Sequence, residues 1–219
     1  MKITWGLLFI LFCFQGAHAY VISKADSGAN VKWSRSNKNI NLLVNPTPVS
    51  TGIELDISDS ELSSSGMSES EYLSYRMMEI VNEAVGEWNS VSSYSLTPFY
   101  NTNESISFND SANSMAFTND FSFFSSGVLA VTVLSFNSTS GTINSGDILI
   151  NQSVTNFVEF TVDETESSQD QAYLGDIITH ELGHLLGLSH SEVIGSSMVF
   201  SVFKNQHTIH TDDHAGIND

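Results

Sequence analysis

Apolar residues recur at helical spacing in two stretches of the chain. Ser68 and Glu71 have the spacing of a capping box at the start of the first stretch. The apolar positions that follow at intervals of three and four are Met77, Ile80, Val81, Ala84, Val85 and Trp88. This pattern predicts an amphipathic helix over roughly Glu69 to Asn89, with its Met and Trp side chains packed in the core.

The second helical stretch runs from about Ser168 to Leu186, and Gly187 follows it where a left-handed residue commonly ends a helix. Short segments rich in β-branched and aromatic residues occupy much of the remaining chain and predict strands. These candidate strands are Asn39 to Val44, Tyr94 to Phe99, Ser105 to Phe108, Val128 to Leu134 and Asp147 to Asn151. Short strands, two long helices and a loop-rich tail predict a single domain of the α+β class.

A polar stretch precedes the first helix. Asn45 to Ser68 contains Pro46, Pro48 and the run Ser63-Ser64-Ser65-Gly66, which predicts a solvated loop. Trp33, upstream of the first strand, is a predicted core anchor.

The first nineteen residues have the pattern of a secretory signal peptide. Lys2 supplies a charge, Trp5 to Phe14 is apolar, and Ala17-His18-Ala19 is a small-residue cleavage site. We therefore predict cleavage before Tyr20 and a secreted, extracellular protein; a buried N-terminal helix is the alternative. No run approaches the roughly 20 apolar residues that a membrane span needs.

Composition narrows the choice of partners. The chain has 219 residues, with 25 Asp and Glu against 7 Lys and Arg, and a formal net charge of -18. Such acidity argues against nucleic acid and against an anionic membrane surface, because both attract clustered cations. The single cysteine, Cys13, leaves with the signal peptide, so packing and any bound metal must hold the mature chain together.

The residues that carry chemistry converge on the segment HELGHLLGLSH, residues 180–190, which fits the pattern HExxHxxGxxH. On a helix, His180 and His184 project from one face and can reach the same ion, and Glu181 can hold a water beside it. A straight helix cannot bring His190 to that ion. Gly187 can adopt a positive φ and turn the chain back towards it.

Three neutral imidazoles and one open position describe a catalytic zinc site rather than a closed structural one. Zinc lowers the pKa of a bound water to about 7, and Glu181 can accept its proton as general base. These residues predict a hydrolase that cleaves amide bonds with zinc-activated water. Two alternatives stay open: a secreted zinc-binding protein without turnover, and a zinc hydrolase of a non-peptide amide.

The segment HELGHLLGLSHS resembles the zinc-binding consensus of the metzincin metallopeptidases, and Ser191 is similar to the matrixin (matrix metalloproteinase) branch. Met198 stands where metzincins carry the methionine of a turn beneath the zinc. The resemblance implies that Met198 supports the metal site without ligating it. Thr211 to Ile217 resembles the matrixin segment that opens the last helix, which implies that Asp212 and Asp213 tie this helix to the methionine turn.

Val31 to Ser36 looks like the opening of a matrixin catalytic domain, and Ala84 to Val91 is similar to the end of its first helix. The resemblance implies a twisted mixed β-sheet with two long helices in an N-terminal subdomain, an active-site helix ending at Gly187, and a small C-terminal subdomain with a short last helix. It also implies an endopeptidase with one catalytic zinc that acts on proteins or peptides. We assign residues 31–219 to the catalytic domain and expect a monomer.

The chain departs from the family at the places of the structural zinc and of the pocket wall. Val131 and Leu149 stand where matrixins have histidines for a second, structural zinc, so we predict no such zinc. Val199-Phe200 replaces the usual Tyr-Pro pair, and we expect Phe200 and Phe203 near the wall of the pocket for the residue after the cleaved bond. Calcium stays open, and its candidate ligands are Asp147, Asp163, Glu164 and Glu166.

Matrixins are commonly kept latent by a propeptide cysteine at the open zinc position, and the mature chain here has no thiol. Residues 20–30 form a short N-terminal segment and a candidate pro-segment. Asp26 could fill the cysteine's role if this segment is flexible enough to reach the cleft; the alternative is a frayed terminus. The remaining C-terminal histidines, expected to be exposed or capping rather than a second metal site, are His207, His210 and His214.

Overall fold

The structure is a computed structural model that describes residues 20–36, 38–49, 53–54, 59–103, 105–108, 110–125, 127–152, 159–162, 171–201 and 206–218. The predicted signal peptide, 1–19, lies outside these residues, as do three of the candidate calcium ligands, Asp163, Glu164 and Glu166, and also Phe203. None of the helices in the described part of the chain is both long enough and apolar enough to cross a membrane.

Ten strands and four α-helices make up the described residues, which gives the mixed α+β class predicted from sequence. The strands are β1 (Val21–Ile22), β2 (Asn39–Val44), β3 (Ile53–Glu54), β4 (Ser95–Tyr100), β5 (Ser114–Thr118), β6 (Ala130–Phe136), β7 (Ile143–Asn151), β8 (Glu159–Thr161), β9 (Gln171–Tyr173) and β10 (Leu188–Ser189). The helices are α1 (Asp59–Ser65), α2 (Glu69–Val91), α3 (Leu174–Leu185) and α4 (Thr211–Ile217).

The main sheet has five strands in the order β4-β2-β5-β7-β6. Its pairings are parallel except for β6, which runs antiparallel to β7 at one edge. In β2, Ile40, Leu42 and Val44 are buried at every second position, because alternate side chains of a strand point to opposite faces. The mixed sheet agrees with the predicted architecture, and it leaves β6 with one unpaired edge among the described strands.

Helix α2 forms as its sequence predicts. The side chain of Ser68 accepts from the backbone N–H of Glu71, whose carboxylate accepts from the N–H of Ser68, so the capping box is complete. All six apolar residues of the predicted stripe are buried. Trp88, fully buried, also donates from its indole Nε1 to the backbone oxygen of Thr179 in α3 at 2.8 Å. This bond ties α2 to the turn of α3 just before His180.

The second helix begins later than predicted. Residues 171–173 form β9, which pairs in parallel with β8, and α3 starts only at Leu174. Ala172 and Tyr173 are both buried, so the strand pairing and the burial of these side chains outweigh the helical spacing read from sequence. The remaining start of the predicted helix, 168–170, lies outside the described residues.

Three other expectations about local structure were wrong. The predicted loop at 45–68 contains β3 and helix α1, in which Ser64 Oγ and Ser65 Oγ donate to carbonyls three residues earlier. Residues 105–108 form no strand. Strand β5 was not predicted, because apolar and polar residues do not alternate in its sequence. Four of its five residues are buried in the interior of the sheet.

The N-terminal segment is folded onto the domain rather than frayed. Strand β1 pairs antiparallel with β10, and the N–H of Ser23 donates to the carbonyl of Gly187 at 3.1 Å. The predicted anchor Trp33 is buried and donates from Nε1 to the carbonyl of Leu185 at 2.8 Å. The start of the described chain therefore holds the end of α3 in place.

Two glycines allow a matched test of how tightly α3 is packed. A Cβ added at Gly183 would clash with Met198 Sδ and lie 2.7 Å from Trp88 Cζ2, whereas one at Gly86 in α2 would meet nothing within 4 Å. We expect Gly183→Ala to lower the free energy of unfolding by about 1–3 kcal/mol. We expect Gly86→Ala to raise it by about 0.5–1 kcal/mol through helix propensity. Urea unfolding of both variants measures these free energies. An equal increase in both variants would show that a methyl group fits at Gly183 without a clash.

Candidate metal centre and active-site cleft

Helix α3 carries two of the three histidines. It is almost entirely buried, and its backbone places the rings of His180 and His184 on one face, with centroids 4.6 Å apart. Glu181 lies between them in sequence and is 5% exposed. The helix therefore positions two candidate ligands and one carboxylate without help from any loop.

The third histidine arrives after a chain reversal at Gly187. This residue has φ of 102°, and a Cβ there would clash with the carbonyl oxygen of Val31. Only glycine takes this conformation readily and leaves room for the backbone of Val31. The reversal brings His190 Nε2 to 3.3 Å from His184 Nε2.

The donor set fits a zinc ion. One ligand atom from each of His180, His184 and His190 lies within 4.8 Å of the others. Two nitrogens bound to one tetrahedral zinc at about 2.0–2.1 Å stand roughly 3.3 Å apart, which matches the spacing of the His184 and His190 Nε2 atoms. Three protein nitrogens also leave the fourth position open, as catalytic zinc sites do.

Backbone carbonyls set the orientation of two of the rings. His180 Nδ1 lies 2.7 Å from the oxygen of Ser197, and His184 Nδ1 lies 2.8 Å from the oxygen of Leu188. A carbonyl can only accept, so each Nδ1 donates and each Nε2 keeps its lone pair for a metal. This arrangement is typical of histidine ligands and fixes both rings before any ion binds.

The same environment keeps the histidines uncharged. Burial lowers the pKa of His180 to about 4 and that of His184 to about 3, and it also lowers the pKa of His190. At neutral pH the three rings are therefore in the neutral form that ligates a metal, and no proton has to be displaced.

Glu181 is held by a residue that the sequence did not single out. Thr132 on β6 donates from Oγ1 to Glu181 Oε2 at 2.6 Å. Burial raises the pKa of Glu181 to about 7, and the hydrogen bond from Thr132 opposes that rise. Strand alternation could have signalled this residue, since Thr132 is the only polar side chain on the face that it shares with Ala130 and Leu134.

A turn at residues 196–198 supports the site from below. The buried carboxylate of Asp213, in α4, accepts from Ser196 Oγ at 2.5 Å and from the N–H of Ser197 at 2.9 Å. Met198 is 2% exposed and packs against α3 at Gly183. Asp213 thereby holds the turn whose Ser197 carbonyl orients His180.

The neighbouring aspartate braces the loop that carries the third histidine. Asp212 accepts from Ser191 Oγ at 2.6 Å, and the N–H of Ser191 donates to the carbonyl of Met198 at 2.7 Å. Both aspartates singled out in the sequence therefore contact the segment between His190 and Met198.

The cleft at the histidines has a volume of about 770 Å³. One side is formed by β6 and the residues before it, and the other by His190 and residues 199–201. Phe200, expected at the pocket wall, is 76% exposed, and its ring meets that of His190 edge-on at 5.0 Å. This volume lies within the range of ligand-binding clefts.

Asp26 lies at an exposed turn and is not among the residues grouped around the histidines. The turn is fixed, because Gly28 N–H donates to the carbonyl of Ala25 at 2.8 Å and Ser27 Oγ to that of Thr139 at 2.9 Å. In the described structure these bonds hold the turn against the rest of the domain. A latency role for Asp26 stays a prediction.

The other histidines have separate tasks. His210 caps α4 by accepting from the N–H of Asp212 at 3.2 Å, and His214 is exposed. His207 Nδ1 lies 2.9 Å from the buried carboxylate of Asp176, a pairing that sequence spacing did not reveal. His210 and His214 thus have the expected capping and exposed roles, whereas the expectation was wrong for His207, which is part-buried against Asp176.

The described candidate positions for a further metal lie on β6 and β7. Val131 lies directly opposite Leu149 in the pairing of β6 with β7, and neither side chain has a donor atom. Asp147 is buried, and its Oδ1 accepts from the N–H of Ser114 at 3.1 Å. That the protein has no structural zinc stays a prediction, and calcium binding stays untested.

Comparison with known protein families agrees with this geometry. The family model described as matrixin matches residues 64–219, which is more than half of the chain and includes α2, α3 and all three histidines. A search of curated proteins found no match. Because the matched region contains the complete histidine motif of a zinc metallopeptidase family, the chain belongs to the matrixins.

Proposed function

We propose that the protein is a secreted endopeptidase in which His180, His184 and His190 hold the catalytic zinc. The convergence of three imidazole nitrogens beside a buried carboxylate, in an open cleft, is the observation that supports this most strongly. In this proposal residues 1–19 are the signal peptide and 31–219 the catalytic domain. Residues 20–30 belong to the same folded unit, since β1 pairs with β10.

The chemistry divides between the metal and Glu181. When bound, zinc supplies a Lewis acid that acidifies water and polarises the peptide carbonyl. Glu181 accepts the proton of the attacking water and later donates it to the leaving amine. A pKa raised by burial to about 7 suits a group that must both take and return a proton near neutral pH. Thr132 holds Oε2, which leaves Oε1 for the water.

Substrate binding is proposed along β6. This strand pairs with β7 on one side and is the last in its sheet among the described strands. Its backbone can accept an extended peptide as a further strand, and Val133 and Phe136 offer exposed apolar contacts nearby. A peptide bound there would pass Thr132, and therefore Glu181, so its backbone would cross the reacting centre.

Two other functions fit fewer of the observations. A zinc-binding protein without turnover gives no reason for a buried Glu181 held by Thr132. A hydrolase of small amides gives no reason for a cleft bordered by β6, which is the last strand of its sheet among the described strands.

Replacing Glu181 with Gln preserves the side chain's size and removes the proton acceptor. We expect the rate of casein hydrolysis to fall by about 10²- to 10⁴-fold, with zinc content unchanged. Glu192→Gln is the matched control, because Glu192 is exposed and should leave the rate at the wild-type level. The measurements are hydrolysis rates and zinc content per chain.

An undiminished rate in Glu181→Gln, while a chelator abolishes hydrolysis by the wild type, contradicts the role of general base. Complete absence of proteolysis by the zinc-loaded wild type favours the binding protein without turnover.

A second pair of variants tests the positioning of Glu181. Thr132→Val keeps the shape and removes the hydroxyl, whereas Thr132→Ser keeps the hydroxyl. We expect Thr132→Val to lower kcat roughly tenfold, the loss of about one hydrogen bond to a charged group, with KM and zinc content unchanged. Thr132→Ser should stay near the wild-type rate. Equal rates for the two variants would show that the hydroxyl does not position the carboxylate.

A further inference from the structure

A second pocket lies next to the cleft at the histidines, with which it shares the lining residues Val31 and Leu188. It is formed between the segment that follows α3, the end of α4 and the N-terminal segment. Its volume is about 390 Å³. The apolar part of the lining comprises Ile22, Val31, Leu186, Leu188 and Ile217. A pocket of this size is within the range that small organic ligands occupy.

Cations are concentrated at this pocket. Lys32, Arg35 and Lys38 all line it, although the whole chain has only 7 Lys and Arg against 25 Asp and Glu. Among the described lining residues, none has an acidic side chain. A local positive potential therefore exists on a protein whose net charge is strongly negative.

The part of the chain that the structure describes does not pair these three cations. Within the described ranges, Lys24 donates to Asn30, and Arg76 pairs with Glu79 at 3.0 Å. No hydrogen bond or ion pair to another described residue is formed by the side chains of Lys32, Arg35 or Lys38. Their charges are available to a ligand.

We propose that this pocket binds a small amphipathic carboxylate. The carboxylate lies against Lys32, Arg35 and Lys38, where the planar guanidinium of Arg35 can donate two parallel hydrogen bonds. The apolar body of the ligand lies against the walls formed by Ile22 and Leu188. A polyanion such as nucleic acid is disfavoured by the net charge of -18, and a strongly hydrated inorganic anion gains nothing from apolar walls.

The test titrates the zinc-loaded protein with 4-phenylbutyrate by isothermal calorimetry. We expect saturable binding at one site that weakens as ionic strength rises. The uncharged analogue 4-phenylbutyramide and inorganic sulfate should each bind at least about tenfold more weakly. The amide lacks the negative charge that the cations attract, and sulfate lacks the apolar body that the walls contact. Equal binding of the amide, or of sulfate, would overturn the proposal.

Variants locate the binding site. The double variant Arg35→Gln, Lys38→Gln should raise the dissociation constant of 4-phenylbutyrate at least about tenfold. Arg76→Gln, which removes a cation paired elsewhere, should leave it unchanged. Both proteins should keep the wild-type melting temperature and rate of casein hydrolysis, since neither change touches the cleft at the histidines.

A carboxylate can also bind a catalytic metal, so the titration is repeated after the zinc is removed with a chelator. Binding that survives zinc removal and is lost in the double variant supports the proposal. Binding that vanishes with the zinc and is indifferent to Arg35 and Lys38 places the ligand on the histidines and overturns it.

Discussion

The need to bring three imidazole nitrogens to one point constrains the rest of this structure. A single helix can supply His180 and His184 but not His190, so the chain must reverse within a few residues. Gly187 makes the reversal at positive φ, where its missing Cβ also admits the backbone of Val31. In the same reversal the Gly187 carbonyl accepts from the N–H of Ser23, which follows β1, and the Leu188 carbonyl lies against the ring of His184. One backbone conformation thus serves ligand placement, ring orientation and the docking of the N-terminal segment.

A second requirement is a rigid support on the far side of the histidines. The carboxylate of Asp213 is buried, and burial of a charge is costly unless donors surround it. Here the donors are Ser196 Oγ and the N–H groups of Ser197, Met198 and His210. These bonds join the last helix to the turn at 196–198. Because the Ser197 carbonyl orients His180, the buried carboxylate acts on the metal centre through the backbone rather than by contact with an ion.

Charge is distributed unevenly over the molecule. The histidine rings are neutral because they are buried, although the chain as a whole has a net charge of -18. Lys32, Arg35 and Lys38 line one pocket, and their side chains pair with no other residue in the described part of the chain. The proposed anion site therefore differs in charge from the uncharged histidines of the cleft.

The spacing of residues along the chain was enough to predict α2 with its capping box and the mixed α+β class. It also predicted that His180 and His184 share one face of a helix. Each of these features depends on residues within a few positions of one another. The start of α3, strand β5 and the bond from Thr132 to Glu181 depend on pairing with distant segments. Sequence alone determined which candidate ligands and which candidate base are present. Only the tertiary structure decided what holds them, because the hydroxyl of Thr132 and the carbonyl of Ser197 reach the site across long separations in the chain, where no periodicity gives a signal.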